Sequence, residues 1–341
     1  MGQAVQEGLD LPGLETFFRE HVPDYRGTLT AELMHGGRSN LTFRLSDGTT
    51  DWILRRPPLG ELTPSAHDMQ REHRVVSALA GSGVPVATAV AYGDDAILGV
   101  PFSLVEFVTG AVIRTEEQLH ELSDATIEAC AYSLIDVLAR LHAVEPLSVG
   151  LEGFGRPSGY LERQIARWND QWSRVSTREL ADLTMLVKRL TDECRPDSAS
   201  SIVHGDFRID NAILNPEDLT EVRAIVDWEM STLGDPLADL GLHLAYSDPV
   251  FAPVLAGSAA STSTRLPSRT SVAEHYARCS GRDLANLSFY LGLGYFKIAV
   301  IAEGIHGRYL KGLTRGSGFE SVGEAVAPLV ASGLSALQGS L

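Results

Sequence analysis

Cysteine and lysine are the scarcest residues in this chain, three of each in 341. Cys130, Cys194 and Cys279 lie far apart with no C-x-x-C pair, which excludes a disulfide framework and a zinc knuckle and reads as three buried thiols. All three lysines, Lys188, Lys297 and Lys311, fall in the second half. Positive charge is short overall, 28 Lys plus Arg against 44 Asp plus Glu for a net charge of −16, so a nucleic acid is not the expected partner. There is no run of eighteen apolar residues, and Met1 to Asp10 lacks the basic-then-apolar layout of a secretion signal. A cytoplasmic protein without membrane partners is expected. G-x-S-x-G, H-E-x-x-H and G-x-x-x-x-G-K-[ST] are also missing, and Gly153, Gly155 and Gly159 are wrongly spaced for dinucleotide binding.

What is present is an ordinary globular composition, 44% hydrophobic and 21% charged, at a length suited to two domains or two lobes. The apolar spacing of Leu11, Leu14, Phe17, Phe18 and Val22 predicts a short capping helix. Three β-rich runs follow, near residues 29–34, 41–45 and 52–55, separated by turn clusters, and imply two successive hairpins. An amphipathic helix over 66–80 carries Glu72, and two more strands lie near 87–92 and 101–107. Beyond residue 110 the pattern is helical, at 118–144, 159–175, 177–194, 235–247, 270–280, 283–312 and 320–338. Short β runs interrupt it at 202–203, 212–214 and 224–226, and 257–271 reads as a polar loop.

The sharpest motif is His204-Gly205-Asp206-Phe207-Arg208-Ile209-Asp210-Asn211, which contains H-x-D-x-x-x-x-N. That is the spacing of a phosphotransferase catalytic loop, where the Asp orients or accepts the substrate hydroxyl proton and the Asn meets Mg²⁺. Sixteen residues on, Asp227 ends an apolar strand. One carboxylate at the base and an Asn–Asp pair for a hard, oxygen-seeking cation suit phosphoryl transfer, in which the moving group carries charge that must be neutralised.

The first lobe offers matching parts. Between two strands, Gly36 and Gly37 permit close backbone approach to phosphates and Ser39 offers a hydroxyl and an N–H, although a Gly-Gly turn is by itself only a hairpin. Arg55 on the third strand precedes helix residue Glu72 by 17 positions, in the manner of a kinase phosphate cation and its carboxylate partner. With no lysine in the lobe the cation must be arginine, which binds phosphate bidentately. Taken singly, Arg55 and Glu72 also read as solvated surface charges.

The set Gly-Gly-x-Ser-Asn, Leu-Arg-Arg-Pro-Pro, Arg-Glu-His, Phe-Ser-Leu-Val-Glu-Phe-Val-Thr-Gly, His-Gly-Asp-Phe-Arg-x-Asp-Asn and Val-Asp-Trp-Glu-x-x-x-x-Gly-Asp-Pro-x-x-Asp-Leu-Gly resembles the aminoglycoside phosphotransferase and choline kinase superfamily. It is most similar to the branch that includes kinase-like domains fused to acyl-CoA dehydrogenases. The resemblance, over about 30–311, implies an α+β, bilobal protein-kinase-like fold. A small β-rich N-terminal lobe with one main helix, 1–107, would precede a larger, mostly helical lobe, 108–341, carrying the catalytic loop 202–214 and the metal-binding strand end 224–229. It implies Asp206 as catalytic base and Asn211 and Asp227 as Mg²⁺ ligands. It further implies a nucleotide site of Gly36, Gly37, Ser39, Asn40, Arg55 and Glu72, with Glu106, Phe107 and Val108 as the hinge that meets adenine. Arg208, Asp210 and Glu229 are the candidate substrate contacts. Arg208 and Asp210 read equally well as a pair on the loop.

Other residues of the motif read structurally. His204 packs and hydrogen-bonds the loop, Asp235 caps a helix, Asp239 holds the catalytic-loop backbone, and Trp168 and Trp172 pack. The expected activity is transfer of the γ-phosphoryl group of ATP or GTP, with Mg²⁺, to a hydroxyl of a small metabolite, by a monomer or homodimer. For the acceptor, the branch and Arg265, Arg269, Arg278, Arg282 and Arg308 favour a hydroxy acid or its acyl-CoA. An aminoglycoside or other antibiotic is the alternative, and a nucleotide-binding pseudokinase-like module is the third reading.

Overall fold

The computed structural model describes residues 8–34, 40–59, 68–156, 158–255, 260–314 and 318–339. The chain divides into two compact units, Met1–Thr109 with Arg223–Glu229, and Gly110–Val222 with Met230–Leu341. The sequence-based boundary at 107 therefore moves by two residues, and 224–229, expected in the helical lobe, is grouped with the first unit. The reason is local: Ile225 N–H donates to Pro85 O at 2.9 Å beside a parallel bridge from Val86, and an Arg223 Nη1 donates to Thr109 O at 2.8 Å.

The first unit contains α1 (Leu11–His21), β1 (Thr30–Leu33), β2 (Leu41–Ser46), β3 (Asp51–Arg56), α2 (Met69–Leu79), β4 (Ala89–Gly93), the one-turn α3 (Asp95–Leu98) and β5 (Phe102–Glu106). The strands form one antiparallel sheet in the order β1-β2-β3-β5-β4. Period-two alternation places Trp52 and Leu54 of β3 in the core with Phe43, Leu45, Phe102 and Leu104 of neighbouring strands. There they pack against Leu14, Phe17 and Phe18 of α1, with Phe18 edge-on to Trp52 at 5.1 Å. Arg55 has the opposite parity and meets Glu72 of α2. α2 opens on Asp68, whose side chain accepts from Arg71 N–H at 2.9 Å.

The second unit is built on α11 (Leu287–Leu310), reached after α4 (Glu116–His120), α5 (Asp124–Ala143), α6 (Tyr160–Val175), α7 (Ala181–Asp192), β6 (Ser201–Val203) and β7 (Ala212–Leu214). Between β7 and α11 the chain forms β8 (Val222–Ile225), which belongs to the first unit from Arg223 on, then β9 (Thr232–Gly234), α8 (Pro236–Tyr246), the single turn α9 (Ala252–Leu255) and α10 (Arg269–Ser280); α12 (Val322–Ala336) closes the second unit. β6 and β9 pair antiparallel. α11 packs against α12, α8, α6 and α7. Among the described residues it alone is long and apolar enough to cross a membrane, yet 78% of its apolar window is buried inside the protein.

Three expectations change. The helix read over 118–144 is two, because Ser123 caps α5 by accepting from Thr126 N–H at 3.1 Å, and Thr115 and Gln118 form a capping box on α4. β9 is too short to register as a pattern. The polar stretch 257–271 is not all loop: a helical turn covers Ala260–Thr262, Ser268 caps α10, and residues 256–259 lie outside the described set.

α8 and α11 cross backbone to backbone. A Cβ at Gly241 would lie 2.5 Å from the carbonyl of Tyr290, and one at Gly294 would lie 3.0 Å from Gly241 O. Gly241→Ala is expected to destabilise the protein by about 1–3 kcal/mol, the usual range for overpacking, measured as a lower urea midpoint; a midpoint equal to the parent would refute this close crossing.

Candidate active site

The catalytic-loop candidate follows β6 and is fixed from beneath by a buried carboxylate. Asp239, in the first turn of α8, accepts the backbone N–H groups of His204 at 2.5 Å and Gly205 at 2.7 Å, with His142 Nε2 at 3.3 Å. Burial pushes the Asp239 carboxyl up, but these partners outweigh it and hold it below the usual range. Gly205 has φ +83°, and a Cβ there would fall 2.7 Å from Met230 O, so only glycine fits. Its carbonyl accepts from Lys297 Nζ of α11 at 2.5 Å. Burial lowers the Lys297 ammonium to about 8 against the pull of Asp206 and Asp239. His204 is buried and its Nδ1 accepts Asp206 N–H at 3.2 Å. Asp235 caps α8 through Leu237 N–H at 2.9 Å.

This frame presents the Asp206 carboxylate with almost every lone pair engaged. Oδ1 accepts the Tyr246 hydroxyl at 2.5 Å and lies 3.3 Å from Arg208 Nε; Oδ2 accepts Asn211 Nδ2 at 3.1 Å. Burial would raise its pKa, but Arg208, the Tyr246 hydrogen bond, Lys297 and His204 together lower it. The Asn211 amide also donates to Asp206 O at 2.8 Å, which leaves Oδ1 as its acceptor atom. Of the two readings of Arg208 and Asp210, the structure gives the pair: Arg208 Nη1 lies 2.8 Å from Asp210 Oδ2, with the guanidinium 5.4 Å over the Tyr246 ring.

In the first unit, Arg55 stands between two carboxylates, its Nε 3.1 Å from Glu72 Oε1 and its Nη2 2.7 Å from Asp227 Oδ1. Burial would lower its pKa, but the charges of Glu72 and Asp227 outweigh that and raise it. Burial likewise raises Glu72 against the pull of Arg55. Asp227 has φ +70°, a left-handed conformation that a non-glycine residue adopts at a cost of about 1–3 kcal/mol and that clusters at functional sites. Asn40 Nδ2 donates to Glu229 Oε2 at 2.9 Å, so a candidate nucleotide contact and a candidate substrate contact engage each other. Gly36, Gly37 and Ser39 lie outside the described residues. At the hinge, Glu106 N–H donates to Thr88 O and Phe107 N–H to Asp51 O, so both amides belong to the sheet; Val108 N–H has no such partner among the described residues.

Taken unit by unit, the donors suit the expected groups: in the second unit Asn211 Oδ1 is a hard oxygen of the kind Mg²⁺ takes, and in the first the Asp227 carboxylate is another, beside Arg55, a fork-shaped cation suited to phosphate. A cavity of about 40 Å³ in the second unit touches the same loop, lined by Arg208, Ile209, Tyr246 and Arg269 and by apolar side chains of α5, α8 and α10 including Leu134, Leu244 and Val272. The expectation that the arginines of 265–308 receive an acceptor anion needs correction. Arg265 binds Asp124 Oδ1 at 2.6 Å and the carbonyls of Leu119 and Leu122, and Arg282 binds His142 O at 2.9 Å, so both lock backbone. Arg269 pairs with Asp248 at 3.0 Å but remains at the cavity wall.

Sequence reasoning missed Tyr246 as the donor to Asp206. It gave Lys297 no role, although a lone lysine inside the apolar run of α11 is itself a signal.

Comparison with known proteins places these features. Residues 30–275 match the family model described as the phosphotransferase enzyme family. Human acyl-CoA dehydrogenase family member 11 is 34% identical over 341 residues, covering 96% of this chain and 43% of that protein, so the chain spans less than half the length of this curated relative. A solved Ralstonia eutropha structure described as an aminoglycoside phosphotransferase is 31% identical with a TM-score of 0.82, over 97% of this chain and 99% of the other. A thermostable mutant aminoglycoside phosphotransferase, solved with AMP-PNP and hygromycin B, shares the fold at 15% identity, a TM-score of 0.63 and coverage of 96% and 99%.

Asp239→Ala would leave two buried N–H groups without an acceptor and is expected to cost about 3–5 kcal/mol. Because the folded carboxyl sits below its unfolded value, its contribution is present above about pH 4 and is lost as pH falls through the lower folded value. Urea melts across a pH series should therefore show a shallower acid-side loss in the variant, and parallel curves would refute it.

Proposed function

From its membership of the phosphotransferase enzyme family, as a kinase-type enzyme, we propose that this chain transfers the γ-phosphoryl group of ATP to a hydroxyl of a small hydroxy acid or its acyl-CoA. The observation that carries the reading is the Asp206 carboxylate, fixed by Tyr246, Arg208 and Asn211 within a loop whose backbone Asp239 immobilises. Such a carboxylate is a weak base held in one orientation. That suits phosphoryl transfer through a loose transition state, where the hydroxyl needs alignment first and proton removal late. Asp206 orients the acceptor O–H and takes its proton as that oxygen bonds to the γ-phosphorus and the bond to the bridging oxygen of the departing diphosphate breaks. Asn211 and Asp227 would hold Mg²⁺, which when bound neutralises phosphate charge. Arg55 supplies a fixed positive charge to the phosphates, held by Glu72.

Two observations support an acyl acceptor over an antibiotic. The cavity touching Arg208 and Tyr246 is lined mainly by apolar side chains, and its charged groups are arginines, which repel a polycationic aminoglycoside and suit a carboxylate or phosphate. The name of the human relative also points to acyl-CoA chemistry.

Asp206→Ala should lower kcat by about 10²–10⁴-fold, the range for loss of a positioned acid–base group, in a Mg²⁺–ATP assay over hydroxy acids, their CoA thioesters and aminoglycosides. Turnover unchanged in the variant would sink the assignment, and turnover with aminoglycosides alone would transfer it to the second reading. Tyr246→Phe removes a bond that depresses the Asp206 pKa, so the acid limb of the kcat/KM profile should move to higher pH, with a loss of about tenfold in rate, corresponding to one hydrogen bond to a charged group. An acid limb at its original pH would show that Asp206 is not the group titrating.

A further inference from the structure

Away from the kinase loop, α5 and α10 pack together and bring three metal-ligating side chains to one point. His275 and Cys279 are four residues apart on α10 and so share a face; Asp136 comes from α5. Asp136 Oδ1 lies 2.8 Å from His275 Nε2 and 3.0 Å from Cys279 Sγ, and the donor atoms all fall within 4.8 Å of one another. The expectation that the three cysteines are buried thiols therefore fails at Cys279, which is exposed, while Cys130 is buried and Cys194 is half-buried.

We propose that Asp136, His275 and Cys279 form a binding site for a borderline-soft divalent cation, Zn²⁺ foremost, which clasps α5 to α10. One carboxylate oxygen here takes two X–H donors at once, so two protons stand where a cation would bridge all three ligands. A tetrahedral zinc site with O and N donors at about 2.0–2.1 Å and S at about 2.3 Å sets its ligand atoms about 3.3–3.6 Å apart, within reach of small side-chain rotations from the distances observed. The mixed O, N and S set favours Zn²⁺ over Mg²⁺ or Ca²⁺, and three protein ligands leave the fourth position to water.

On loading, the Cys279 Sγ–H bond gives way to Sγ–metal and its proton leaves to solvent. His275 sheds its Nε2 proton to solvent and takes one from solvent at Nδ1, so one proton is released overall. Arg278, which stands 3.2 Å from His275 Nδ1, is exposed and turns outward to admit that proton. Two anionic ligands and one neutral one cancel the charge of the ion, which keeps the neighbouring Arg278 and Arg140 from facing a net positive centre. The Tyr132 ring, stacked on His275 with centroids 4.4 Å apart, fixes the imidazole plane. The site has a reach beyond itself, because Ala131 and Leu134 of α5 and Arg269 and Val272 of α10 line the cavity that Arg208 and Tyr246 also line.

The test is titration of the full chain with Co²⁺ as a spectroscopic substitute for Zn²⁺, under reducing conditions. One equivalent should give tetrahedral visible bands and a thiolate-to-cobalt charge-transfer band, both displaced by Zn²⁺. The charge-transfer band should vanish in Cys279→Ser and persist in Cys194→Ser, and His275→Ala should weaken binding by more than about tenfold. Zn²⁺ should raise the melting temperature of the parent but not of Cys279→Ser. Cys279 has no part in the proposed kinase machinery, so metal-free folding of the serine variant, checked by its melt, separates this result from any outcome for kinase activity. Absence of one-equivalent uptake, or a thiolate band that survives Cys279→Ser, overturns the proposal.

Discussion

A single buried carboxylate, Asp239, accepts the backbone N–H groups at 204 and 205, and the direction of Asp206 depends on it. A loop that must reverse through a left-handed glycine would otherwise carry unsatisfied donors into the interior, where each costs about 1–3 kcal/mol. Asp239 is supported from α5 by His142, which itself contacts the Tyr276 hydroxyl at 2.7 Å. The loop is therefore referenced to α5, α8 and α10 together, and Lys297 adds α11 through the Gly205 carbonyl.

The electrostatics of the loop follow from that geometry. Asp206 is buried, which alone would favour its neutral form, yet Arg208, Lys297 and the Tyr246 hydroxyl keep it ionised. A carboxylate so stabilised gives up basicity for fixed orientation, a suitable exchange where alignment contributes more to the rate than proton abstraction does. Arg208, one of these partners, also lines a cavity together with Arg269, and the rest of that lining is mainly apolar.

The first unit contains no lysine, and an arginine is the cation held between two carboxylates. Arg55 has a planar fork and is held by Glu72 from α2 and by Asp227 from the strand end. A lysine would make one point contact, whereas the guanidinium meets two carboxylates with separate nitrogens. The strained φ of Asp227 is maintained by its surroundings: Trp228 Nε1 donates to Ile225 O at 2.9 Å, and Glu229 accepts from Asn40.

Much of this was legible in the sequence. Alternation at 41–46 and 51–56, helical spacing at 11–21 and the contiguous motif 204–211 rest on contacts within a few residues, so their chemistry is written locally. Local reasoning also reached Asp235 as a cap and Asp239 as the holder of the loop backbone. It could not reach Tyr246, which is 40 positions from Asp206, the ion pair of Arg55 with Asp227, 172 positions apart, or the meeting of Asp136 with His275 and Cys279 across two helices. Periodicity reports which face of an element is apolar and is silent on which element it meets. Covalent neighbourhood thus determined the element types and the phosphotransferase motif. Packing decided which side chains hold Asp206, where Arg55 finds its second carboxylate, and which cysteine faces solvent, because those depend on burial and distance that exist only once the helices and sheet are assembled.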